Sequence, residues 1–62
     1  MKKVKQVKSW GIYELSSKEQ EEHGFNFAVI HPEVMGCGNV TASDSDMELD
    51  NLEDAISWVN NY

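Results

Sequence analysis

Between Val7 and Leu15 apolar side chains recur at strand spacing, with Trp10 and Ile12 on one face and Val7, Tyr13 and Leu15 on the other; Val4 is placed to extend the run. Apolar groups on both faces describe a strand covered from both sides. Phe25 to His31 reads as a second strand, with Phe25, Phe27 and Val29 on one face and Asn26, Ala28 and Ile30 on the other. Pro32 ends it, because proline has no N–H for the ladder. Gly36-Cys37-Gly38-Asn39 is a turn signal, and Val40 to Ser43 reads as a short third strand or hairpin arm.

Two segments have helical spacing. Ser16 to His23 contains no apolar residue, but Ser16 with Glu19, or Ser17 with Gln20, has capping-box spacing, and Gly24 follows where a left-handed stop wants glycine. This predicts a short exposed helical turn. Asp50 to Asn61 predicts an amphipathic helix: Leu52, Ala55, Ile56 and Val59 form one apolar face, Asp50 and Glu53 stand at capping spacing, and Trp58 flanks the stripe. The stretch from Leu49 to Val59 resembles the final helix of many small bacterial sheet-plus-helix proteins, a likeness of packing and not of activity.

The expected fold over residues 1–62 is one α+β domain: a short antiparallel sheet of two to three strands with a C-terminal α-helix packed on one face, in the order β-β-(β)-α. A single helix covers one sheet face. The strands are apolar on both, so a second copy of the chain is the economical cover, and a homodimer is expected.

Composition narrows the functional classes. Sixty-two residues accommodate one small domain and no separate cofactor and substrate domains. The longest apolar run, Phe27 to Ile30, is far short of the roughly 20 residues of a membrane span, and the basic start is not followed by the apolar stretch of a signal peptide. A single cysteine, Cys37, forms no internal disulfide, so a cytoplasmic location is expected. The net charge of −6 and the absence of arginine argue against direct nucleic-acid binding.

Charge is segregated. Four of the five lysines lie in the first eight residues, and six of the eleven acids lie between Asp44 and Asp54. A basic head of this kind can pair with an acidic tail on the same molecule or on a neighbour. The acids Asp44, Asp46, Glu48 and Asp50 alternate, but as a calcium loop the run fails: Leu49 stands where an EF-hand needs glycine and Ala55 where it needs glutamate. A solvated loop leading into the helix is the expected form. Were it extended, the four acids would share one face opposite Ser45, Met47 and Leu49, as a negative edge strand attractive to a basic partner.

His31, Glu33 and Cys37 form the most chemical-looking group, yet acidic surroundings raise a thiol pKa and no second cysteine completes a redox pair. Zinc ligation by His23, His31, Cys37 and a carboxylate lacks paired spacing. No catalytic dyad and no phosphate loop is present, and no cofactor is implied. The expectation is therefore a non-enzymatic interaction module, with Trp10, Asp44, Asp46, Glu48, Asp50 and Trp58 as contact candidates. A metal- or thiol-dependent factor built on His31 and Cys37 is the alternative. An acidic mimic of nucleic acid that occupies a DNA-binding protein is a further one.

Overall fold

The computed structural model describes residues 1–62. Four antiparallel strands lie in the order of the chain: β1 (Lys2–Val7), β2 (Trp10–Glu14), β3 (Phe27–Ile30) and β4 (Met47–Leu49). Helix α1 (Ser17–His23) joins β2 to β3, a single-turn helix α2 (Pro32–Met35) follows β3, a 3-10 turn spans Ala42–Asp44, and α3 (Leu52–Asn60) closes the chain. The α+β class and the C-terminal helix agree with the expectation. The sheet, however, has four strands where two to three were expected.

Each extra strand has a local cause. The run read as one strand from Val4 through Leu15 is a hairpin that turns at Lys8 and Ser9, so Val7 faces Trp10 across the ladder. Lys8 adopts φ 56, a left-handed conformation normally given to glycine or asparagine; the turn therefore lacks its usual sequence signature. Val4 is the extra residue of a β-bulge between Lys3 and Lys5. The bulge reverses the alternation within β1 and hides its strand period. At the other edge, Val40 to Ser43 forms no strand. Asp44 caps the 3-10 turn there, its Oδ2 accepting from the Thr41 N–H (2.9 Å) and hydroxyl (3.1 Å), and the chain joins the sheet only at Met47.

One face of the sheet carries α3. Trp10, Ile12 and Val29 pack against Ala55 and Val59, with Val7, Phe27, Leu49, Leu52, Ile56 and Trp58 around them. Ala55 is fully buried, and its small side chain lets the helix approach the strands closely. The helix starts one residue later than the spacing suggested. Asn51 is the N-cap, its Oδ1 accepting from the Asp54 N–H at 2.8 Å while its Nδ2 donates to the Asp54 carboxylate at 2.9 Å. Asp50 and Glu53 do not form the cap.

The opposite face holds Leu15, Phe25, Ala28, Ile30 and Ala42, covered by Tyr13, Val34, Met35, Val40 and Met1. The chain's own segment from α2 through the 3-10 turn thus supplies the cover that a second copy was expected to give, and apolar groups on both faces no longer argue for a face-to-face dimer. Phe25 belongs to this side and not to that of Phe27, because it precedes β3 and escapes the strand alternation. Gly11 is buried beneath this cover. A Cβ there would meet the Met35 sulfur and lie 2.9 Å from Tyr13 Cε1, so a side chain at position 11 would force the Met35 and Tyr13 side chains to move.

Helix α1 has the anticipated ends. Ser16 Oγ accepts from the Glu19 N–H (3.3 Å), Glu19 Oε1 accepts from the Ser16 N–H (2.9 Å), and Gly24 closes the helix at φ 81. Glu19 also receives the N-terminal ammonium at 2.9 Å. The Ser16 N–H, and then the ammonium, hold the Glu19 carboxyl down at about 2 against an ordinary 4.5. A depressed folded-state pKa stabilises the fold fully above the unfolded value, and the contribution is lost as pH falls through the folded one. The urea midpoint of the wild type should therefore exceed that of Glu19→Gln by a steady margin between the unfolded value of 4.5 and neutral pH, a margin that shrinks as pH falls and disappears near 2. A margin independent of pH across that window would show that the carboxylate charge contributes nothing.

Candidate functional site

The two outer strands carry opposite charge. On β1, Lys2, Lys3 and Lys5 are exposed, and Lys8 follows in the turn. On β4, Glu48 is exposed and is flanked by exposed Asp46 and Asp50. Because the sheet order is β1-β2-β3-β4, three strand spacings of roughly 4.8 Å put these edges about 14 Å apart. Lysine head and acidic tail therefore cannot pair within one molecule. The chain's only ion pair is that between the N-terminus and Glu19, so neither the lysines of β1 nor the acids of β4 are neutralised internally.

The acidic edge arises from alternation. Met47 pairs with Val29 and Leu49 with Phe27, which directs both toward the α3 side, where Leu49 is half-buried. Glu48 pairs with Ala28 and takes the other side, so Met47–Leu49 is extended where a solvated loop was expected, while Asp46 and Asp50 lie in exposed bends on either side of it. An open, mostly polar groove of about 410 Å³ runs beside it, lined by His23, Ala42, Ser43, Ser45, Asp46, Met47 and Glu48. Asp44 differs from the other three acids, because its carboxylate is occupied by Thr41. Of the three large apolar side chains left exposed, two stand on the edge strands: Val4 on β1 and Met47 on β4. The third is Tyr62.

The other contact candidates fall elsewhere. Trp10 is 8% exposed and belongs to the core, so it offers no contact surface. Three aromatic rings surround it: His31 edge-on at 4.9 Å, Trp58 at 5.5 Å and Tyr62 at 4.9 Å between ring centroids. Trp58 is half-buried and also stacks obliquely on Tyr62 at 5.3 Å. His31 caps α2, its Nδ1 accepting from the Glu33 N–H at 3.1 Å, which leaves a single ring nitrogen uncommitted. Cys37 is exposed, its thiol 3.5 Å from the Glu33 carbonyl oxygen. Nowhere do three His, Cys, Asp or Glu side chains converge as metal ligands would. No helix is long and apolar enough to cross a membrane.

Comparison with known families, curated proteins and solved structures finds no match. Function therefore rests on the surface itself. What this surface offers chemically is an open strand edge with backbone donors and acceptors, unneutralised carboxylates and one apolar side chain.

Proposed function

We propose that the chain is a non-enzymatic protein-interaction module whose acidic edge strand, β4, accepts an extended basic segment by strand addition. The observation that supports this reading is that β4 is an outer strand whose flanking acids Asp46, Glu48 and Asp50 have no cationic partner in the molecule. In strand addition, main-chain hydrogen bonds supply affinity and alternate side chains supply choice of partner. Glu48 on the strand, with exposed Asp46 and Asp50 in the bends at its ends, favours lysine on an added strand and disfavours acidic strands by like charge. Met47, 37% exposed, adds a small apolar contact on the α3 side. Lysine suits this edge because its ammonium remains solvated while it neutralises a neighbouring carboxylate.

A six-residue peptide alternating lysine and valine is the direct probe. Its addition should shift the backbone amide resonances of Met47 to Leu49 and leave those of β1 unchanged. Glu48→Lys should weaken the binding by at least about tenfold, equivalent to about 1.4 kcal/mol, with the fold intact by circular dichroism. Equal binding of an alternating glutamate–valine peptide, or perturbation confined to other strands, would remove the proposal.

A further inference from the structure

We infer that the basic segment taken by β4 is β1 of a second copy, so that the chain associates head to tail through its two sheet edges. This rests on the reading of β4 as a strand-accepting edge and adds the identity of the strand. The two edges match in four respects. Both are outer strands of one sheet with a free side. β1 carries Lys2, Lys3 and Lys5, β4 carries Glu48 with Asp46 and Asp50 in the bends at its two ends, and none of the six is engaged in an ion pair. Each exposes one large apolar side chain, Val4 at 39% and Met47 at 37%. Neither edge can satisfy the other within a molecule, since two strands separate them.

Charge also determines which edges meet. Edge lysines and bulges are devices against unwanted strand pairing, and β1 has both. Two β1 edges repel, and so do two β4 edges. A symmetric dimer through like edges is thereby disfavoured, whereas β1 against β4 turns the same charges from repulsion to attraction. Such a joint is heterologous, so each copy keeps one free edge of each kind and association continues unless a ring closes. The short β4 and the bulge in β1 limit the ladder, which makes the joint weak and concentration-dependent. The net charge of −6 opposes it at long range. At about 0.1 M ionic strength the Debye length is about 10 Å, so distant charges are screened and touching pairs are not; at about 1 M it is about 3 Å and the pairs are weakened too.

Sedimentation velocity of the full chain tests this with two charge-reversed variants. One carries Lys2→Glu, Lys3→Glu and Lys5→Glu; the other carries Asp46→Lys, Glu48→Lys and Asp50→Lys. The wild type should sediment faster with rising concentration at about 0.1 M ionic strength and lose that dependence at about 1 M. Each variant alone should remain monomeric. Their equimolar mixture should associate, because one then has two acidic edges and the other two basic ones. Recovery on mixing also shows that both variants are folded. A wild type that stays monomeric at all concentrations overturns the inference, as does association that survives in either variant alone or a mixture that stays silent. If in that case the alternating lysine–valine peptide still shifts Met47 to Leu49, the reading of β4 stands and only its occupant is wrong; if the peptide does not bind, both fail.

Discussion

Ile12→Ala should remove most of the domain's stability at room temperature. Ile12 is fully buried at the centre of β2, paired with Lys5 on one side and Val29 on the other, and it packs in one cluster with Trp10, Val29, Ala55 and Val59. Truncating a buried isoleucine removes three carbons of transfer energy and leaves a cavity that the surroundings fill only in part, at a cost of about 2–5 kcal/mol. A domain of this size holds roughly 3–5 kcal/mol in total, since a single small core rarely supplies more. One substitution therefore removes most of the stability. Urea unfolding followed by circular dichroism measures it. Val4→Ala, on the exposed edge, is the control and should shift the midpoint by no more than about 0.5 kcal/mol equivalent. An Ile12→Ala midpoint close to that of the wild type would mean that α3 collapses into the vacated space, and that the packing of Ala55 and Val59 against the sheet is far looser than the buried surfaces imply.

The elements legible in the sequence were those in which local chemistry and tertiary packing agree. α1 has a capping box and a left-handed glycine, both local features, and both are present. α3 announces itself by the spacing of Leu52, Ala55, Ile56 and Val59, though its cap lies at Asn51, where an amide that accepts and donates outcompetes Asp50. β1 was not legible. Its lysines look solvated, the bulge at Val4 destroys the period, and the Lys8–Ser9 turn has no glycine or asparagine. α2 carries a local signal of its own, proline at the first helical position after a residue able to cap. Pro32 both ends β3 and starts α2, with His31 as the cap. The segment beginning there covers the second sheet face, so apolar residues on both faces of the strands do not by themselves require a partner.

The candidate surface was half visible. Segregation of lysines to the head and acids to the tail can be read from the chain, and so can the alternation of Asp46, Glu48 and Asp50 with Met47 and Leu49. What composition does not contain is topology. Only the strand order places the two charged segments on opposite edges, too far apart to neutralise each other and each free on its outer side. Asp44 was grouped with the other acids by spacing, yet its carboxylate holds the 3-10 turn. Spacing cannot separate an acid that caps a turn from one that faces solvent.

Trp10→Ala should be at least as damaging as Ile12→Ala, and for a reason that separates packing from recognition. The indole joins the β1–β2 hairpin, the start of α2 and the end of α3: it pairs with Val7, meets His31 edge-on and carries Trp58 and Tyr62. Truncating a buried tryptophan costs about 3–5 kcal/mol, and favourable ring pairs add about 0.5–1.5 kcal/mol each beyond area burial. Trp10→Phe keeps a ring against Trp58 and should cost less, about 1–3 kcal/mol. Tyr62, 79% exposed, should tolerate alanine at a cost of no more than about 1 kcal/mol. The order Trp10→Ala, then Trp10→Phe, then Tyr62→Ala in urea midpoint is the expected result, read by circular dichroism because the changes alter tryptophan fluorescence themselves. A residue kept for binding a partner gives the opposite pattern: its alanine variant folds with an unchanged midpoint and loses only the interaction. A wild-type midpoint for Trp10→Ala would return Trp10 to the contact surface and make the aromatic cluster, and not the strand edges, the first place to look for a partner.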